Sequence, residues 1–227
     1  MKHTKAPEQF RFAALAVDVV VLGFVDGELY GLVSNVNRPP HYNNAPCFLG
    51  GMVTETETAE GACARILNEK GGVKKTDIYT EQLATFSAVE RDKRNRVVSV
   101  AYLGLVRPDF IRTYSHSEAS FRPLKDCKHL AYDHDDMLSV TKKRLAGKLT
   151  YTTIAQFLLP RHFTLSELQD VYEGVTGTTH DKRNFRKKIL ALDIIHDTDL
   201  VQDGVPNRPA ALYEFKSSKL TELPLII

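Results

Sequence analysis

The chain has 227 residues, with 30 Lys and Arg against 28 Asp and Glu, a formal net charge of +2 and a pI of about 8.3. Apolar residues make up 43% and charged residues 26%, enough apolar material for a packed core and a poor match to a disordered or fibrous chain. At about 150 residues per domain, this length allows one large domain or two smaller ones.

The longest apolar run, 12–25, is broken by Asp18 and falls short of the roughly 20 residues that a spanning helix needs. Its β-branched Val17, Val19, Val20 and Val21 suit a strand better than a signal peptide, and no clean cleavage site follows. Cys47, Cys63 and Cys127 are unpatterned and build neither a disulfide framework nor a zinc site. The expectation is a cytoplasmic protein without a membrane segment. Residues 12–24 read as a strand, Asp26-Gly27 as a hairpin turn and 28–35 as the partner strand. Residues 38–46, rich in Pro and Asn, read as a loop, and Gly50-Gly51 as a turn into a helix over 58–70 that Gly71-Gly72 ends. Strands are expected at 83–89 and 97–106, and a helix at 135–148.

After Lys148 the punctuation sharpens. A first helix over 151–159 is stopped by Pro160, and Thr164 with Glu167 fits a capping box. The second helix, with Leu165, Leu168 and Val171 inward, runs to about 172, closed by Gly174 and Gly177. A third begins near Asp181, and 194–200 with 211–215 forms a ribbon around a turn at 204–206. Three helices and a ribbon follow the winged helix-turn-helix order. The reading is an α+β chain with a ligand-binding domain at 1–148 and a DNA-binding domain at 149–227.

The third helix carries Lys182, Arg183, Arg186, Lys187 and Lys188 against one acid, Asp181. At about 100° per residue, Ile189 and Leu192 fall within roughly 40° of Phe185, whereas Arg183 and Lys187 point about 160–200° away. Asn184 and Arg186 flank that outer face. Arg suits guanine, Asn suits adenine and Lys suits phosphate, so this face reads as a DNA probe. Thr178 and Thr179 are candidate phosphate contacts at its start, and Arg208 from the wing. One small module binds weakly, so a homodimer on a palindromic operator is expected.

Residues 51–73 resemble the Nudix box, G-x5-E-x7-R-E-U-x-E-E-x-G-U with U a bulky aliphatic residue. Gly51, Glu57, Arg65, Leu67, Glu69 and Gly72-Val73 match, but Ile66 and Lys70 replace two glutamates. In an intact box the carboxylates at these i, i+3 and i+4 positions share a helix face and hold divalent cations. Here that face offers one carboxylate, one hydrocarbon and one cation, so the expectation is no catalytic residue, no metal and no cofactor. Segments around Arg91 and over 38–51 resemble ADP-ribose pyrophosphatases. That resemblance places Arg38, Phe48, Gly50, Gly51, Arg65, Glu69 and Arg91 at a ligand, the arginines on pyrophosphate and Tyr42 or Phe48 on a base.

Joined to the winged helix, with LLPRHFTLSELQDVYEGVTGTTHDKRNFRKKIL and RPAALYEF, the chain resembles the Nudix-related transcriptional regulators of bacterial NAD metabolism, the NrtR family. The resemblance implies an N-terminal Nudix-like mixed sheet with helices, and a repressor of NAD biosynthesis or salvage genes whose effector is ADP-ribose or a related nucleotide. The stretch 134–148 is the expected relay between the two halves. The alternative is an active Nudix ADP-ribose pyrophosphatase with a helical extension.

Overall fold

The computed structural model describes residues 13–203 and 209–223; Arg208 and the turn at 204–206 lie outside them. The N-terminal part is a mixed sheet of β1 (Ala14–Val25), β2 (Glu28–Arg38), β3 (Tyr42–Cys47), β4 (Leu49–Met52), β5 (Ile78–Phe86), β6 (Val97–Val106) and β7 (Ala119–Pro123). Helix α1 (Ala59–Gly71) precedes β5, α2 (Pro108–Thr113) follows β6, and α3 (His134–Tyr151) follows β7. Strand order is β3-β2-β1-β6-β5, with β4 added to β1 and β7 to β2.

β1 pairs in parallel with β6 from Ala14↔Val97 to Gly23↔Val106, and both its faces are covered. That explains its nearly unbroken apolar sequence. Side chains alternate across a strand, so Val17, Val19 and Val21 pack with Ala62, Cys63, Ile66 and Leu67 of α1. Val20, Leu22 and Phe24 join the opposite core with Met137, Leu145 and Leu149 of α3. Asp18 is the one charged residue on that second face of β1. The β1–β2 turn is read correctly from Asp26-Gly27, whose φ values of 50° and 82° are both left-handed.

Several elements depart from the sequence reading. The expected loop over 38–46 is mostly β3, which among the described residues pairs only with β2, and an edge strand tolerates the amide missing at Pro46. Gly50-Gly51 is not a turn but the middle of β4, opposite Asp18 and Val17. β5 starts earlier than expected because Thr80, Glu81 and Gln82 hide its pattern, yet they pair with β6. The short elements α2 and β7 carry too few residues for a periodic signal.

In the C-terminal part the expected helix over 151–159 is only a 3-10 turn, Ile154–Phe157. Thr152 is extended, its hydroxyl bonds the Lys148 carbonyl at 2.7 Å, and the Thr153 amide donates to Thr221 O at 2.9 Å, drawing the backbone out of the helix. Helix α4 (Leu165–Thr176) starts with both halves of the Thr164–Glu167 capping box and ends at Gly177, φ 69°. Gly174 does not close it. A Cβ there would stand 2.4 Å from Phe24 Cε2, so this glycine lets α4 sit against the β1–β2 hairpin. Helix α5 (Lys182–Ala191) and the ribbon β8 (Ile195–Val201) and β9 (Ala211–Phe215) complete the unit. Ile154, Leu158, Phe163, Leu168, Val171, Phe185 and Ile189 belong to the same core as Val20 and Leu145, so one apolar interior runs from sheet to α5. Among the described residues no helix is long and apolar enough to cross a membrane.

Thr164→Ala removes the acceptor for the Glu167 amide, which now donates to Oγ1 at 3.1 Å. The expected loss is about 1 kcal/mol of unfolding free energy, read by urea denaturation.

Candidate functional site

Between β1, β4, the far end of β2 and the segments around 91–94 and 132–134 lies a cavity of about 810 Å³. At its base is Asp18, 7% exposed. Ser99 Oγ donates to its Oδ2 at 2.7 Å and Arg91 Nη2 at 3.1 Å. Arg91 also grips Asp133 through two parallel bonds of 2.9 and 2.8 Å. His134 Nδ1 accepts the Phe48 amide at 3.0 Å, which leaves the ring proton on Nε2, 3.5 Å from Asp18 Oδ1. Gly50 faces this carboxylate so closely that a Cβ would fall 1.9 Å from Oδ1. Burial pushes the Asp18 carboxyl up, but His134, Ser99 and Arg91 outweigh it and hold the pKa at about 2. Burial pushes the Cys47 thiol on the cavity wall up to about 12, which removes it as a nucleophile.

Of the expected ligand residues, Arg38, Phe48, Gly50, Gly51 and Arg91 line this cavity. Arg65 and Glu69 do not. Arg65 is held against Glu57 by contacts of 2.6 and 3.0 Å, against Met52 O at 3.0 Å and against Glu69 at 3.4 Å, a clamp between α1 and the end of β4. Arg91 is on the wall, but its side chain is only 3% exposed and three of its donor hydrogens serve carboxylates, so it positions rather than reaches. Phe48 is 1% exposed and stacked on His134, and Tyr42 is 6% exposed against Tyr132, so neither offers a free ring. The half-buried aromatic of the lining is Tyr132, with the Arg94 guanidinium 5.5 Å from its ring centre. Its left-handed φ of 61° is uncommon for a bulky residue and turns the chain into Asp133 and His134. Sequence reasoning missed Tyr132, Arg94, His134 and the site role of Asp18. A lone carboxylate inside a β-branched run was the available signal.

The face where the box would place its glutamates carries Ile66, Glu69 and Lys70. Ile66 is wholly buried in the α1 core, Glu69 is exposed and paired with Arg65, and Lys70 Nζ donates to Gly50 O at 2.5 Å. Among the described residues no group of three or more His, Cys, Asp or Glu is placed to hold a metal ion. Magnesium needs several oxygen ligands, and this set supplies an alkyl chain and an ammonium where oxygens are required.

On α5, Phe185 and Ile189 are buried and Leu192 is partly so, as the wheel predicts. Lys182, Arg183, Asn184, Arg186, Lys187 and Lys188 are exposed, and among the described residues none of these cations makes an ion pair. Asp181 caps the helix by accepting the Asn184 amide at 2.9 Å. The turn before it is fixed from α4: Gln169 donates to His180 O at 2.8 Å and Glu173 accepts the His180 amide at 2.7 Å. Thr178 and Thr179 stand exposed in that turn.

The folded Asp18 pKa, about 2, lies below its ordinary 3.8. Ionised Asp18 therefore stabilises the fold above pH ~4, and that contribution disappears as pH falls toward 2. Asp18→Asn is expected to be less stable by about 2 kcal/mol at neutral pH, the gap closing in acid, read by urea denaturation at several pH values. A gap constant with pH contradicts the assignment.

Two family models match the chain, a NUDIX domain over residues 14–142 and the NrtR DNA-binding winged helix domain over residues 155–215. The ADPR responsive transcriptional repressor NtrR of Acinetobacter baylyi is 32% identical over 209 residues, 88% of this chain and 81% of that protein. Shewanella oneidensis NrtR, solved in complex with a 27mer DNA, superposes with a TM-score of 0.78 at 32% identity, covering 89% of this chain and 93% of that one. The NUDIX domain of the same Shewanella protein, solved with ADP ribose, covers 62% of this chain and 93% of its own length at 28% identity and a TM-score of 0.50. A cavity walled by paired charges and a bare cationic helix thus sit on a scaffold that matches these regulators over nearly nine-tenths of the chain, and the chain belongs to the NrtR family.

Proposed function

We propose that this chain is a transcriptional repressor of NAD biosynthesis or salvage genes whose hold on operator DNA is altered by ADP-ribose or a related nucleotide bound in the cavity. The observation that carries the reading is the unpaired cationic face of α5, which shares one continuous core with the cavity-bearing sheet. The Acinetobacter relative's response to ADPR and the ADP ribose complex of the Shewanella NUDIX domain support the choice of effector. We take residues 1–148 as the ligand-binding domain and 149–227 as the DNA-binding domain, with α3 running across the junction. The chain works as a homodimer on a palindrome, each α5 entering a major groove. Thr179, Lys182 and Lys187 meet phosphates, and Arg183, Asn184 and Arg186 meet phosphates or base edges.

Without a metal-holding carboxylate set the cavity binds its ligand and does not hydrolyse it. The route from cavity to DNA runs through α3. Its N-terminus carries Asp133 and His134, which hold Arg91 and Phe48, and the helix packs on α4. Ligand acts only through its different affinity for the two arrangements of this lever, and the coupling is reciprocal.

Fluorescence anisotropy with palindromic upstream DNA tests the reading. Arg183→Ala with Lys187→Ala is expected to weaken binding and flatten the slope of log affinity against log salt by about 2. ADP-ribose is expected to change the wild-type affinity for DNA and to survive incubation with excess protein and MgCl2. Equal DNA binding by variant and wild type, or brisk release of AMP, overturns it.

A further inference from the structure

The cations of the cavity fall into two classes. Arg91 is held by Asp18 and Asp133, and Arg94 by Asp92 at 2.7 Å. Arg38 and Lys70 make no ion pair among the described residues. Arg38, at the end of β2, donates only to the neighbouring Asn37 carbonyl at 2.9 Å. Lys70 leaves the last turn of α1 and reaches back twenty positions along the chain to Gly50 O.

An exposed lysine ordinarily keeps its ammonium in water and its rotamers free. Anchorage on a backbone carbonyl fixes this one at the cavity wall. The ammonium has three donor hydrogens, and Gly50 takes one. Gly51 leaves space beside the ammonium, since a Cβ there would stand 3.7 Å from Nζ and 3.3 Å from Ile66 Cδ1. The lining also contains one exposed carboxylate, Glu118, whereas Asp18 and Asp92 are already neutralised by arginines.

A diphosphate bridge carries two negative charges, and Arg38 with Lys70 supplies two positive ones. We infer that Lys70 and Arg38 form a metal-free clamp on the diphosphate of the nucleotide effector, the Lys70 ammonium standing in for a divalent cation on one phosphate and the Arg38 guanidinium holding the other. The inference rests on the effector reading above. An ammonium carries no bound water to activate, so the clamp retains the ligand without opening its phosphoanhydride bond.

Calorimetric titration of the full chain with ADP-ribose, in EDTA and in millimolar MgCl2, separates the claims. Wild type is expected to bind equally in both buffers. Lys70→Gln, which keeps a donor for Gly50 O, and Arg38→Ala are each expected to weaken binding at least about tenfold in EDTA. Both sites are exposed, and an unchanged melting temperature shows that the variants remain folded. Lys70→Glu is expected to bind poorly in EDTA and to recover part of the loss in MgCl2. A magnesium requirement in wild type, or wild-type affinity in Lys70→Gln or Arg38→Ala, overturns the clamp while leaving the effector reading in place. Absence of ADP-ribose binding by wild type in either buffer removes the effector reading and the clamp together.

Discussion

A carboxylate enclosed in apolar strand β1 must have its charge met locally, because stripping an ion of water costs several kcal/mol unless its partners are well placed. Asp18 meets that condition through Ser99, Arg91 and the His134 ring, and each partner brings a different part of the chain with it. Ser99 lies on β6, Arg91 in the segment between β5 and β6, and His134 at the start of α3. Gly50 is the complementary concession, a residue without Cβ where the carboxylate comes closest. The same group that fixes the packing of four segments also forms the cavity base, so fold and site are one constraint. Removing any one partner leaves a buried charge short of compensation, which makes the cluster respond as a unit.

Helix α3 is tied to the sheet at both ends. At the start, Asp133 holds Arg91 and His134 holds the Phe48 amide. Toward the end, Lys148 and Arg144 converge on Glu81, Tyr79 Oη donates to Glu81 at 2.6 Å, and Arg144 donates to Leu83 O at 2.8 Å. Eighteen residues make a rod about 27 Å long. Its apolar side, Leu145 and Leu149, packs in the interior that also holds Leu168 of α4 and Phe185 of α5. In the proposed mechanism a ligand that moves Asp133 or His134 acts on one end of this rod, and interior packing carries the displacement onward. Two half-sites amplify the effect, since a small tilt in each protomer shifts both probes out of groove register.

What the sequence made legible was local. The capping box, the glycine after α1, the Asp-Gly hairpin and the two faces of α5 each depend on residues within a turn or two of one another, and each is present. The charge cluster was not legible because Arg91 reaches Asp18 across 73 positions and Asp133 across 42, separations that no local pattern encodes. Arg65 and Glu69 read as ligand groups, yet they close on Glu57 and on each other, partners only eight and four positions away. Proline and asparagine made 38–46 look like a loop, but pairing to β2 on one side only is a tertiary circumstance. Phe48 read as a base-stacking ring, yet it is buried against His134, and the half-buried aromatic of the cavity lining is Tyr132.

In the proposed reading, a site without metal chemistry suits an equilibrium sensor on physical grounds. Occupancy reports free ligand concentration only if binding ends in release; a site that cleaves its ligand reports a balance between arrival and turnover instead. A divalent cation between protein and diphosphate would make occupancy depend on two concentrations, through linkage of the two binding steps. Placing the positive charge on Lys70, anchored to Gly50 O, removes the second variable. Ile66 reinforces this, because its alkyl chain completes the α1 core where a carboxylate would have required solvent or a cation. The two departures from the box thus have separate structural places, Ile66 filling the interior and Lys70 supplying, in the proposed reading, the fixed charge that the effector requires.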